Sequence, residues 1–153
     1  LLPNFDVSAL LAAQKRRPIT MFPGVAPMYS RVLAQARANQ AEGEDVDLSS
    51  IKWSFSGAMA LSPELAADWE NETGGLIIEG YGMSEASPII AGSPVSAERR
   101  PSTLGVPFPS TEVRIADPED LSKDAEDVGE ILVRGPQVFS GYLGEDEETD
   151  KVF

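Results

Sequence analysis

The stretch Leu76-Ile77-Ile78-Glu79-Gly80-Tyr81-Gly82-Met83-Ser84-Glu85 decides how this 153-residue chain is read. Three apolar residues after Gly74-Gly75 form a short buried strand, and the glycine-spaced polar run leaves its carboxyl end as a loop. Working back, Ser62 as N-cap, Pro63 as first helical residue, Leu65 and Trp69 on one face and Gly74-Gly75 as terminator predict a helix. Before it, Ile51, Trp53 and Phe55 alternate with polar residues as a strand does and run into Ser56-Gly57-Ala58. Further back, Val25, Met28, Tyr29, Val32, Leu33 and Ala36 stand at helical spacing, read as a core-facing stripe. The strand Ile19-Thr20-Met21-Phe22, read as buried and closed by Pro23-Gly24, precedes that helix. A first helix is capped by Asp6, stapled by Phe5 and Leu10, favoured at its end by Lys15-Arg16-Arg17 and stopped by Pro18. Two successive strand-helix-strand units predict an α/β fold with a parallel sheet flanked by helices and right-handed crossovers.

The composition excludes much chemistry. The chain has no cysteine and no histidine, so neither Ser-His-Asp nor Cys-His nucleophilic sites are open to it, nor a Cys/His zinc site. Any metal must sit on oxygen, which suits magnesium or calcium. With 25 acidic against 12 basic residues and a net charge of −13, the chain lacks the basic stripe a nucleic-acid surface needs. Hydrophobic residues at 42% and charged residues at 24% fit one packed globular domain. The apolar runs are too short to span a bilayer and the start reads as no secretory signal. A cytoplasmic setting is the expectation, with peripheral membrane contact and oligomeric state left open.

Charge is uneven along the chain. From Glu112 to Phe153 there are 13 acids and 4 bases, a balance of −9, against 12 and 8, or −4, before it. Asp117 to Asp127 and Glu145 to Asp150 are expected as solvated loops. Val113 and Ile115 alternate with Glu112 and Arg114, and Gly129 to Gly135 reads as a partner strand, together an antiparallel pair of a β subdomain. The boundary loop lies within Gly92 to Thr103, dividing an α/β part, 1–103, from an incomplete β part, 104–153. Arg99 and Arg100 in that loop are expected as surface charge rather than as phosphate ligands.

In open α/β sheets ligands collect outside the carboxyl ends of the strands. There Gly24, Gly57 and the Gly80/Gly82 pair would let main-chain amides approach a ligand that a Cβ would obstruct. Tyr81 offers a flat face for a base, worth about 1 to 3 kcal/mol when stacked. Ser84 offers a hydroxyl to a phosphate, and Glu85 the anionic oxygen magnesium prefers. The alternative stands beside this reading: Tyr81 belongs to the core, and Ser84 and Glu85 cap a short helix. Two named nucleotide motifs fail, since Glu85 stands where a dinucleotide fingerprint has its third glycine and no glycine precedes a lysine as in a Walker loop.

Gly80-Tyr81-Gly82-Met83-Ser84-Glu85-Ala86-Ser87-Pro88 resembles the adenine and magnesium motif of the AMP-forming acyl-CoA synthetases, within the adenylate-forming superfamily. The resemblance extends to Phe22-Pro23-Gly24-Val25 with Met28-Tyr29, and to Ser56-Gly57-Ala58 with Leu61-Ser62-Pro63-Glu64-Leu65. It continues through Gly105-Val106-Pro107-Phe108-Pro109, the run from Gly129-Glu130-Ile131 through Gly135-Pro136 to Gly141-Tyr142, and Glu148 to Phe153. It implies a ligase that joins a carboxylate to the α-phosphate of ATP, releases pyrophosphate, and transfers the acyl group to coenzyme A.

By the same resemblance Gly57, Ala58, Glu79, Gly80, Tyr81, Gly82, Met83 and Ser84 would surround ATP or AMP. Gly24, Ser56, Gly57 and Gly82 would line the acyl pocket, and Glu85 would help hold Mg2+. No residue of this chain is assigned a catalytic role. Family members usually carry threonine where Ser84 stands, but the hydroxyl is kept. Met83 favours a fatty or aryl acid over an amino acid, with a long-chain fatty acid expected. The family's phosphate loop, ribose-binding aspartate and lysine-bearing lid are not found in the sequence, so an internal piece of the large N-terminal domain, inactive alone, is expected. A non-catalytic nucleotide- or acyl-binding module, or another adenylate-forming enzyme, is the competing reading.

Overall fold

In the computed structural model, which describes residues 4–96 and 98–153, α1 (Val7–Arg16) starts where the Asp6 carboxylate accepts the Ala9 N–H at 2.7 Å. It stops at Arg17, since Pro18 disfavours helical geometry in the residue before it. Its inward face carries Val7, Leu11 and Gln14. Gln14 is a buried polar residue and is bonded accordingly: its amide donates to Ser50 Oγ at 2.6 Å, and its carbonyl accepts the Ile19 N–H at 2.7 Å.

That bond shifts the first strand. Ile19 to Phe22 was the expected span, whereas β1 is Met21–Gly24. Side chains claim both polar groups of Ile19, with Gln14 on its N–H and the Ser50 hydroxyl donating to its carbonyl, so the ladder starts beyond it. Only Phe22 of β1 is buried. The next elements follow expectation: α2 (Ala26–Ala41) buries Tyr29, Val32, Leu33 and Ala36, and β2 (Trp53–Ser56) follows. In α3 (Pro63–Thr73), Ser62 Oγ accepts the Leu65 N–H at 3.2 Å and Gly74 closes the helix in the left-handed conformation. Strands β1, β2 and β3 (Leu76–Gly82) pair in parallel in that order, with Gly24, Ser56 and Glu79 in one register row.

The buried face of β2 carries its serines and not its aromatic residues. Ser54 and Ser56 are 1% and 3% exposed, while Trp53 and Phe55 are 37% and 36% exposed. Small serines let α3 approach closely enough for the Trp69 indole N–H to donate to Ser54 Oγ at 2.8 Å. Around that bond Phe22, Tyr29 and Trp69 form an aromatic triad, with ring centroids 4.8 to 5.7 Å apart. The Tyr29 hydroxyl lies 2.8 Å from the Phe55 carbonyl and 3.0 Å from that of Phe22, and can donate to either. Burial pushes this phenol well above its ordinary pKa.

The chain forms two compact units. One runs to Gly80 and resumes at Ser93–Gly105; the other comprises Tyr81–Gly92 and Val106–Phe153. In the first unit the loop after residue 92 is tied down. The Ser93 N–H donates to the Glu79 carbonyl at 2.9 Å, and the Ser102 N–H to Glu79 Oε1 at 3.0 Å. Arg99, expected as surface charge, is instead 13% exposed and ion-paired with Glu70, whose carboxylate also accepts the Ile77 N–H.

In the second unit β4 (Ile89–Gly92) pairs antiparallel with β5 (Val106–Pro107). The expected antiparallel pair is β6 (Glu112–Asp117) with β8 (Glu130–Arg134). The acidic run between them is not a free loop: β7 (Asp120–Asp124) adds a third strand on the other side of β6. Arg114 ties the two strands together, its guanidinium donating to the Leu121 and Lys123 carbonyls and to Asp124. The second acidic run holds a short helix, α4 (Asp146–Asp150), whose first turn carries Asp146, Glu147 and Glu148, where the helix dipole favours acids. Among the described residues no helix is long and apolar enough to cross a membrane.

Candidate nucleotide and acyl site

The parallel strands end together. Beyond the row Gly24, Ser56 and Glu79, the Gly57 N–H donates to the Gly24 carbonyl at 3.3 Å, and a Cβ on Gly57 would lie 3.6 Å from the Gly80 carbonyl. Gly24, Ser56, Gly57, Glu79 and Gly80 are thereby gathered on one sheet edge, as the glycine pattern predicts. Ala58 follows, exposed and with a φ of 62°, so the chain turns sharply away from the edge. Among the described residues the buried Ser56 hydroxyl has no hydrogen-bond partner.

These glycines do not serve one purpose. A Cβ at Gly57 would make only an ordinary contact, so nothing in the fold itself demands glycine there. A Cβ at Gly82 would fall 1.7 Å from the Pro88 carbonyl oxygen, so there the chain's own return path excludes any side chain.

β3 carries the chain from Gly80 into Tyr81 and Gly82, which belong to the second unit. The sequence suggests that residues 79–82 are loop; they are strand. Tyr81 is half-buried and packs against the cluster of Ala86, Ile90 and Ala91. Met83 and Ser84 are exposed. Ser84–Ala86 form a single 3-10 turn whose N-cap, Met83, makes no side-chain capping bond, so Ser84 and Glu85 lie inside the turn and do not cap it.

Glu85 is held at both its carbonyl and its carboxylate. Its Oε1 accepts the Tyr142 hydroxyl at 2.9 Å, and its carbonyl accepts the Phe139 N–H at 2.7 Å. Its own main-chain N–H, and then the Tyr142 phenol, hold its carboxyl below the ordinary carboxylate range. The same bond pushes the Tyr142 phenol upward. Sequence reading missed Tyr142, because nothing local announces a partner 57 residues away. It also missed the grip of Ser102 on Glu79, for the same reason.

No group of three or more metal-binding side chains occurs among the described residues. Glu85 offers one carboxylate. That does not fit a protein-caged metal, but it fits magnesium, which keeps most of its shell in water and ligand phosphates and takes one or two carboxylates. A cavity of about 130 Å³ in the first unit, lined by Leu61, Ala66, Glu70, Ile77, Glu79 and Arg99 among others, is too small for a nucleotide.

The family of AMP-binding enzymes matches residues 1–143. A long-chain-fatty-acid–CoA ligase of Bacillus subtilis is 41% identical over 155 residues, covering 99% of this chain and 26% of that protein. ATP-bound MatB from Rhodopseudomonas palustris superposes with a TM-score of 0.82 at 31% identity, covering all of this chain and 29% of that one. A benzoate CoA ligase from Burkholderia xenovorans gives a TM-score of 0.78 at 25% identity over 95% of this chain and 28% of its own. The chain thus spans about a quarter of the length of the curated relatives it matches. With the parallel sheet, its glycine edge and the motif around Tyr81 all in place, this chain belongs to the AMP-binding enzyme family.

Proposed function

We propose that this chain is the nucleotide- and acyl-binding portion of an AMP-forming acyl-CoA ligase. The observation that carries the reading is the continuous run from Glu79 to Glu85, which starts at the glycine-marked carboxyl edge of a parallel sheet. The ligase condenses a carboxylate with ATP. The carboxylate oxygen bonds to the α-phosphorus and pyrophosphate leaves; the coenzyme A thiol then bonds to the acyl carbon and AMP leaves.

In this reading Tyr81 stacks on adenine and the exposed Ser84 hydroxyl donates to the α-phosphate. Gly57, Ala58, Gly80, Gly82 and Met83 contribute main chain around the nucleotide. Glu79 contributes in the same way, since its carboxylate is engaged by Ser102. Gly24, Ser56, Gly57 and Gly82 border the acyl group. Glu85 supplies a carboxylate to magnesium, and the ion's chemistry is to screen repulsion between the phosphates and the attacking carboxylate. The chain's own contribution is positioning and charge, which requires no histidine.

A long-chain fatty acid is the favoured substrate, supported by the name of the Bacillus relative, with an aryl acid as the second candidate. ATP, Mg2+ and coenzyme A complete the set, in a cytoplasmic enzyme with peripheral membrane contact as the finer proposal. Two functional parts, 1–103 and 104–153, are proposed from the change in charge and pattern.

Pyrophosphate release is the test. The full polypeptide carrying this sequence, given ATP, magnesium and a panel of fatty and aryl acids, is expected to turn over, and the 153-residue chain alone is not. ATP binding without turnover by the full polypeptide would support the non-catalytic module instead. Tyr81→Ala is expected to weaken ATP binding by about 1 to 3 kcal/mol in calorimetry; unchanged affinity removes Tyr81 from the site.

A further inference from the structure

Glu85 is gripped from a distant part of the chain in two different ways. The Phe139 N–H holds its carbonyl and so fixes where the residue sits, whereas the Tyr142 hydroxyl holds Oε1 and fixes which way the carboxylate turns. Tyr142 is itself constrained. Its N–H donates to Thr149 Oγ1 at 2.9 Å, and that hydroxyl donates to the Glu145 carbonyl at 2.9 Å. Its ring meets Phe139 edge-on at 4.8 Å, and Phe139 stacks on Phe153 at 5.6 Å. A chain of contacts therefore runs from the acidic helix α4 through Tyr142 to the carboxylate of Glu85.

A free glutamate side chain samples many rotamers, and a carboxylate meant for a cation gains from being aimed beforehand. The phenol and the residue's own main-chain N–H leave part of the carboxylate's roughly four acceptor sites open, so capacity for a cation remains. We propose that Tyr142, anchored by Thr149, is a positioning residue that orients Glu85 toward a magnesium ion carried on the nucleotide phosphates. This rests on the nucleotide reading given above and assigns Tyr142 no contact with substrate. It also gives α4 a task beyond solubility, since Thr149 is the residue that holds Tyr142 in place.

The test is calorimetry of ATP binding to the full polypeptide carrying this sequence, once with magnesium and once with EDTA. The wild type is expected to bind more tightly with magnesium. Tyr142→Phe should lose about tenfold of that magnesium-dependent gain while its affinity in EDTA stays the same. Glu85→Gln should abolish the gain, and adding Tyr142→Phe to it should change nothing further. A Tyr142→Phe protein with the full magnesium gain overturns the proposal. So do equal losses with magnesium and with EDTA, which would mark a general structural tie. Thr149→Val, expected to lose a smaller part of the gain, carries the same decision if Tyr142→Phe does not melt cooperatively. A wild type that binds no ATP under either condition overturns the nucleotide reading itself, and is distinguishable from failure of the positioning role.

Discussion

The two units bury apolar surface in different ways. In the first, Phe22, Tyr29 and Trp69 converge from a strand and two helices on an interior that also takes in Val32, Leu33 and Ile77. In the second, the buried cluster is Ala86, Ile90 and Ala91, while Ile115, Leu121 and Val128 stay exposed. Polar side-chain ties also order the second unit: Arg114 across to β7, Gln137 to Thr111 at 2.7 Å, and Tyr142 to Glu85. Large rings packed on a sheet resist change as a block, whereas separate polar ties each fix one local geometry.

The strongest way to break that comparison is Trp69→Ala. Loss of the indole and of its bond to Ser54 is expected to cost about 3 to 5 kcal/mol, read as faster hydrogen exchange across β1, β2 and β3. Ile90→Ala, among alanines, is expected at the low end of such truncations, about 2 kcal/mol. Equal costs would show that the second unit depends on its core as much as the first. Next in size is Gly82→Ala, where the clash with the Pro88 carbonyl is expected to destabilise by about 1 to 3 kcal/mol. Smallest is Gly57→Ala, expected to change the denaturation midpoint by less than the equivalent of about 0.5 kcal/mol while weakening nucleotide or acyl binding. A large loss of stability there would mean that Gly57 serves the fold and not a ligand.

Some elements could be read directly from the residues. In α3 the cap Ser62, the first-turn Pro63 and the left-handed Gly74 are each local signals, and the structure realises all three. The parallel pairing of β1, β2 and β3 followed from alternating strands and helices. Three features were not legible. The alternation of Trp53 and Phe55 marks β2 as a strand, but it does not say which face lies inward, where Trp69 donates to Ser54. The run from Asp117 to Asp127 looked like a solvated loop because its charge pattern carries no strand periodicity, while its pairing with β6 and its ties to Arg114 come from the fold. Arg99 looked like surface charge because its partner, Glu70, lies 29 residues earlier.

The sequence by itself determined the α/β class and the ends of α1 and α3, because caps, proline and glycine act over three or four residues. Only the tertiary structure decided which face of β2 is interior, that Gly82 serves the path of its own chain, and that Glu85 answers to Tyr142. Those outcomes depend on which distant donor or carbonyl arrives within about 3 Å, and chain folding sets that encounter where local propensity cannot.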